Sequence, residues 1–367
     1  MPEIHCQDCG FPYPDDGLPY RCPRCGGLWD DSGDFTFVPP AAAEKRTGLW
    51  RFHKSIDLPE SAAQISLGEG ATPLIWSDHA GIPVGLKLES LNPTGSYKDR
   101  GSAVLVSQMV RRGICQAVED SSGNAGASFA AYAARARLNA RVYVPESASG
   151  PKRNQIEAYG AELRPIPGPR SAAAEAVLAD VQRGIAYASH AYLPFGLAGI
   201  ATIAYELWES NQAASPGTVI APAGHGGLLL GLLRGFKAIQ KAGYSERIPY
   251  LVGVQSAACD PLTRAYQHGL AAMETAAEEP TLAEGVRVRY PVRAAALVQE
   301  LDRQQSAFTS VNEGDILEAY TALNHQGIYV EPTSAIAWAA LKNLQFDKLP
   351  RPIVVVLSGF GLKYMKI

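Results

Sequence analysis

Two groups of residues in this chain have types and spacings suited to chemistry: four cysteines near its start, and a lysine in a Gly/Pro-rich string. Cys6-x2-Cys9 and Cys22-x2-Cys25 are short pairs separated by twelve residues. Each sits in a knuckle-like turn, with Gly10 after the first and Gly26-Gly27 after the second. Four thiolates at this spacing can close a tetrahedral zinc site, and a module too small for its own core gains its stability from the metal. Such a site has no open position for substrate, so the zinc is structural. Four unrelated thiols, or a degenerate empty site, is the plainer alternative. Cys115 and Cys259 have no such partners and are expected to be buried, inert thiols.

The lysine lies in Lys87-Leu88-Glu89-Ser90-Leu91-Asn92-Pro93-Thr94-Gly95-Ser96-Tyr97-Lys98-Asp99-Arg100-Gly101. An extended segment runs into a Pro/Gly turn, and the turn opens a helix. Lys98 therefore falls in the first helical turn, where the positive end of the dipole favours a neutral amine. A neutral amine attacks an aldehyde to form an imine. Asp99 suits the same helix N-terminus. Taken alone, a lysine at a helix start is more simply a solvated side chain.

Three further loops carry polar or glycine-rich strings. Ser121-Ser122-Gly123-Asn124-Ala125-Gly126 opens an Ala-rich helix, where free amides suit an anion; a plain Ser N-cap is an equal reading. Ala223-Gly224-His225-Gly226-Gly227-Leu228 follows a strand and opens a helix, so its backbone can cradle a phosphate, although an ordinary Gly-rich turn looks the same. Ser358 follows the last strand, within Val356-Leu357-Ser358-Gly359-Phe360-Gly361. Ser66–Leu74 is Gly-rich, an active-site loop or a structural lead-in at even odds.

The elements that must position these residues alternate. Strands are expected at 83–89, 116–119, 141–144, 218–221, 251–254 and 353–357, with helices at 97–112, 123–137, 152–159, 199–209 and 228–241. Residues 181–188 cover a helix end and a strand. This alternation implies mainly parallel sheets covered on both faces, in an α/β fold of two three-layer domains. The division expected is a zinc-ribbon-like module at 1–35, a large α/β domain from 36–104 and 206–367, and a small α/β domain at 105–205.

The 367 residues suffice for two such domains, and the 47% apolar content suits full cores. A net charge of −3 argues against nucleic acid as a partner. No apolar run approaches the length of a bilayer span, and the first residues do not form a signal peptide, so a cytoplasmic location without a membrane partner is expected.

The lysine string resembles that of threonine synthases, in the tryptophan-synthase-β superfamily of pyridoxal-phosphate (PLP) enzymes (fold type II). The other motifs follow in family order. The resemblance implies PLP as cofactor and Lys98 as the Schiff-base lysine. It places Asn124 at the phenolic oxygen, Gly224, His225, Gly226, Gly227 and Leu228 at the phosphate, and Ser358 at the pyridine nitrogen. It gives Ser121, Ser122 and Gly123 to the substrate carboxylate, and implies a homodimer. Tyr97 stands where the family usually has Phe, which keeps an aromatic beside the cofactor.

The implied activity is a threonine-synthase-like elimination and replacement on an amino acid: O-phosphohomoserine and water to threonine and phosphate. One departure matters. In threonine synthases the segment matching Ala188–Phe195 usually supplies Asn, Ser and an Arg to the substrate phosphate, and no Arg occurs here between Arg183 and Arg234. Ser122 also stands where threonine synthases usually have Thr, as in serine/threonine ammonia-lyases. The alternatives are therefore a serine, threonine or diaminopropionate ammonia-lyase, or a cysteate-synthase-like replacement. His190 is either a substrate contact or, slightly favoured, a packing histidine. A reading from another class is a zinc-ribbon protein that binds PLP or a nucleotide without turnover.

Overall fold

The computed structural model describes residues 4–31, 35–121, 123–146, 150–168, 170–304, 306–345 and 348–364, with residues 170 and 171 described for the backbone alone. From the start, β1 (Ile4–Cys6) pairs antiparallel with β2 (Trp29–Asp31). β3 (Leu74–His79) and β4 (Ile82–Lys87) form a hairpin over Ala80-Gly81. Both turn residues have positive φ, 51° and 81°, as a two-residue turn matched to strand twist requires. Then come α1 (Lys98–Arg111), β5 (Gln116–Glu119), α2 (Asn124–Ala136), β6 (Asn139–Pro145), α3 (Pro151–Ala158), β7 (Glu162–Ile166), α4 (Arg170–Gln182), β8 (Ala186–Tyr187) and α5 (Gly196–Ser210). The chain continues through β9 (Thr218–Pro222), α6 (Gly227–Lys241), β10 (Tyr250–Ser256), α7 (Pro261–His268), α8 (Ala294–Arg303), β11 (Ala307–Val311), α9 (Glu313–His325), α10 (Pro332–Asn343) and β12 (Ile353–Val356).

The chain divides into two compact units. One comprises the residues up to Gly70 together with Asn92–Ile200; the other comprises Ala71–Leu91 and Ala201–Tyr364. The first unit holds a four-stranded, all-parallel sheet in the order β7-β6-β5-β8. The second holds a six-stranded sheet, β11-β10-β9-β12-β4-β3, parallel except for the β3/β4 hairpin. Every residue of β9 and β12 is buried. Successive side chains point to opposite faces, so helices must cover both sides. The expected α/β class with mainly parallel sheets is therefore what the chain adopts.

The division into units differs from the one expected at 104/105 and 205/206. Residues 36–70 and α1 belong with the four-stranded sheet, because Leu49, Trp50, Val106 and Met109 join one apolar cluster with Phe129, Tyr132 and Val142. The cysteine module also joins this unit, through Leu18 in the same cluster.

One ionic cluster ties α4 to β6 in this unit. Asp180, fully buried, accepts a hydrogen bond from the Tyr143 hydroxyl at 2.7 Å and pairs with Arg141 and Arg183. Burial alone would raise its pKa. The hydrogen bonds from Tyr143, Arg183 and Arg141 outweigh that and hold it at about 2. The folded value lies below the unfolded one, so this stabilisation is present above about pH 4 and fades as pH falls toward 2. Asp180→Asn should lower the urea midpoint at pH 7 while the two proteins converge near pH 2. An equal gap at both pH values would contradict this.

Candidate active site and metal centre

Lys98 is the first residue of α1, half-exposed, with Nζ 5.0 Å from the centroid of the Tyr97 ring. The loop before it is braced by Asp99. That fully buried carboxylate accepts from Thr94 N at 2.7 Å, Thr94 Oγ1 at 2.6 Å and Ser128 Oγ, on α2, at 2.6 Å. Asp99 thus does more than complement a helix dipole: it clamps the turn that presents Lys98 and ties α1 to α2. Ser96 is fully buried, and its Oγ finds no hydrogen-bond partner among the described residues.

The Ser66–Gly70 loop supports the same region. Glu69 Oε2 accepts from Leu67 N at 2.9 Å and from the Tyr132 hydroxyl at 2.7 Å. Burial, then the charges of Asp99 and Glu69, push the Tyr132 hydroxyl pKa well up, so it stays a donor. Gly70 N donates to Asn92 Oδ1 at 2.9 Å, anchoring the start of the lysine loop. At the even odds of the sequence reading, these contacts favour a bracing role.

Asn124, half-buried, opens α2 after an N-cap at Gly123. The plain Ser N-cap is not found: Ser121 Oγ accepts from Gly123 N at 3.3 Å, and Gly123 itself caps the helix without a side-chain bond. Ser122 lies outside the described residues. A Cβ at Gly126 would stand 1.8 Å from Ser121 O, so this position excludes any side chain. Lys98 and Asn124 therefore begin two helices linked by the Asp99–Ser128 bond.

Beside this loop β8 runs parallel to β5, so the ends of both strands lie together. There the Tyr187 hydroxyl donates to Asp120 Oδ1 at 2.8 Å, and His190 Nδ1 lies 3.3 Å from Oε1 of the buried Glu119. His190 is 27% exposed and paired with Glu119.

In the second unit, β9 leads into the Ala223–Leu228 loop. Gly226 caps α6 at φ 88°, and a Cβ there would lie 2.4 Å from Leu297 Cδ2. Gly224 and His225 are half-buried. The first amides of a helix, here those of Gly227 and Leu228, lack acceptors within it and suit a phosphate. Ser358, buried, follows β12, with its Oγ 3.2 Å from Ser334 Oγ on α10. Ser334 also accepts from Gly359 N at 2.7 Å. β12 and β9 are parallel neighbours, so the Ser358 and Gly226 loops leave the same end of one sheet. Ser334 carries no motif and was not foreseen.

Nor was Lys87 foreseen as a hub. It is 1% exposed and donates to Glu206 Oε2 and to Thr72 O, each at 2.6 Å. Ala71 N donates to the other Glu206 oxygen at 2.8 Å, and Thr72 Oγ1 to Glu89 Oε1 at 2.6 Å.

At the cysteine module the Sγ atoms of Cys6, Cys9, Cys22 and Cys25 all lie within 4.8 Å of one another. Three of the separations are 3.4, 3.7 and 3.4 Å. A tetrahedron of zinc–sulfur bonds near 2.3 Å has edges of about 3.8 Å, so the arrangement fits that ion. Gly10 N and Gly26 N close the two knuckles onto Cys6 O and Cys22 O, with Gly10 and Gly26 at positive φ. Cys259 is buried as expected, and burial raises its thiol pKa; Cys115 is exposed, just before β5 begins, contrary to the expectation of a buried thiol.

Each unit carries donors of kinds that suit a phosphorylated pyridine aldehyde: an amine and an amide in the first, helix-start amides and a hydroxyl in the second. In the first, the Ser96 hydroxyl is unsatisfied among the described residues and Gly126 excludes a side chain. Comparison with known proteins bears on the same point. Residues 65–359 match the family described as pyridoxal-phosphate dependent enzyme. The chain is 30% identical to a threonine synthase of Methanocaldococcus jannaschii, over 98% of this chain and 92% of that protein. It is 29% identical to a threonine synthase of Methanosarcina acetivorans, over 94% and 87%. Among solved structures, a threonine deaminase from T.th. is 28% identical, with a TM-score of 0.65 over 81% of this chain and 93% of that one.

Proposed function

The chain belongs to the pyridoxal-phosphate dependent enzyme family, and on that footing we propose a threonine-synthase-like lyase that acts on an amino acid by elimination and replacement. The observation that carries this reading is Lys98 at the mouth of α1, clamped by Asp99 to the helix that Asn124 opens. When bound, PLP delocalises the electron pair left at the substrate Cα. Lys98 would hold the cofactor through its aldehyde, and its amine would take the Cα proton of the substrate and return one later in the reaction. Asn124 orients the ring oxygen, and the amides around Gly224, His225, Gly226, Gly227 and Leu228 take the phosphate. Ser121, Ser122 and Gly123 receive the substrate carboxylate. Ser358, steadied by Ser334, offers the ring nitrogen a neutral hydroxyl, a weaker partner than a carboxylate. That suits elimination and replacement more than transamination. Cys6, Cys9, Cys22 and Cys25 hold a structural zinc. The assembly is a homodimer in the cytoplasm.

The family reading of the substrate is O-phosphohomoserine. A second reading is an ammonia-lyase acting on serine, threonine or diaminopropionate, or a cysteate-synthase-like replacement. It is favoured by the Glu119–His190 pair in the segment that lacks the phosphate-binding arginine. A buried carboxylate disfavours a dianion nearby, and the segment itself contributes no arginine to offset it. The purified protein should be yellow. Phosphate release from O-phosphohomoserine with threonine formed supports the first reading. Keto acid and ammonia from serine, threonine or diaminopropionate support the second, and phosphate release from O-phosphoserine with an added nucleophile bonded to Cβ and no keto acid formed supports replacement. A protein that takes up no PLP overturns the enzyme reading.

A further inference from the structure

We propose that the four-cysteine module is a positioning element for the Tyr187–Phe195 segment: a metal held by the four thiols fixes that segment, and with it His190. The inference rests on the zinc reading above and on the reading of this segment as a wall of the substrate site. It goes beyond a metal that merely holds its own module together.

Three contacts carry it. First, Tyr13 belongs to two clusters at once. It packs edge-on against Trp29 at 4.7 Å, inside the module with Cys6 and Cys22, and edge-on against Phe195 at 5.1 Å. Second, Tyr20, two residues before Cys22, packs edge-on against Tyr187 at 5.2 Å and Tyr192 at 5.3 Å. Arg21 adds a guanidinium 5.0 Å from the Tyr192 ring. Third, Arg112, just past the end of α1, donates to Pro14 O, Asp15 O and Gly17 O at 2.7, 2.9 and 3.2 Å. The same guanidinium lies 5.0 Å from the Tyr13 ring and 5.2 Å from that of Phe195.

The gripped segment needs such help. β8 is short: it pairs with β5 at Ala186 and Tyr187, and among the described residues the last backbone bond between the two strands runs from Ala188 N to Val118 O at 2.8 Å. Yet Ser189, Leu193 and Phe195 are buried. Edge-to-face aromatic pairs attract beyond the burial of their area, so the module supplies directional contacts where ladder bonds run out. The module itself has only Cys6, Cys22 and Trp29 as fully buried apolar side chains in its cluster. A core that small depends on its cross-link to hold Tyr13 and Tyr20 in place.

The test uses the full-length holoenzyme. Zinc content is measured first. Cys9→Ser, at an exposed ligand, should lose the metal, and hydrogen exchange in peptides covering 187–195 should quicken about tenfold or more, while exchange in 98–111 is unchanged. KM should rise about tenfold with kcat within about twofold, and the cofactor absorbance should persist. Tyr20→Leu keeps all four thiols. It should retain zinc and reproduce the faster exchange and raised KM in weaker form, which keeps the inference testable if Cys9→Ser fails to fold. Metal lost, or Tyr20 replaced, with no change in exchange at 187–195 overturns this inference alone. A protein purified without bound metal overturns the zinc reading and the inference with it.

Discussion

Lys98→Ala lowers turnover by about a thousandfold or more on whichever amino acid the wild type consumes. Two losses combine. On the proposed role, the amine that would hold the aldehyde is gone, and so is the group that would take and return the Cα proton; acid–base catalysis alone contributes about 10²–10⁴-fold. The fold should be nearly indifferent. Lys98 is half-exposed and its side chain lies against the neighbouring Tyr97 ring, so stability should stay within about 0.5 kcal/mol of wild type. Borohydride should fix the cofactor covalently to the wild-type chain and leave it removable from the variant. Turnover within tenfold of wild type, or fixation that persists in the variant, would sink the assignment.

The second large effect is on stability. Glu206→Leu removes the carboxylate from Lys87, whose side chain is 1% exposed, and leaves it Thr72 O as a neutral acceptor. A buried ammonium left without its carboxylate costs about 3–5 kcal/mol. Ala71 N loses its acceptor as well. Against a total of about 5–15 kcal/mol for a domain, this is a severe loss. The double variant Lys87→Met/Glu206→Leu should recover most of it, because two apolar side chains of similar volume escape the desolvation that the pair endures. Melting temperatures of the wild type, Glu206→Leu and the double variant decide the matter. A double variant no more stable than Glu206→Leu would show that the hydrogen bonds to Ala71 and Thr72, rather than the unpaired charge, set the cost.

Local features were legible wherever local physics decides them. Helix α1 starts at Lys98 because the Pro93–Gly95 turn cannot continue a helix, and it ends just before Gly113. β5 falls on the expected residues, and α2, β6, β9 and α6 fall within two of theirs. Other elements escaped. β7 contains Pro165, has a mostly exposed pattern and reads as a loop. β11 and helices α7 to α10 are absent from the expected elements; α8 does carry a stripe at Ala294, Leu297 and Leu301, whereas α9 and α10 are weakly periodic. α10, for instance, is buried from Pro332 to Leu341, and no single stripe marks it.

The composition of the candidate site was thus readable from the chain alone: an amine at a helix mouth, an amide at another, glycines before a third, and thiols at metal spacing. These depend on residue type and on spacing within a few positions. What only the tertiary structure decided is which distant groups hold them. Asp99 reaches Ser128, Ser358 finds Ser334, Lys87 meets Glu206, and the cysteine module grips residues 187–195. Such pairings join residues 24 to 119 or more positions apart, and no local pattern encodes them. They are chosen when burial removes water and each polar group must find its partner inside the fold.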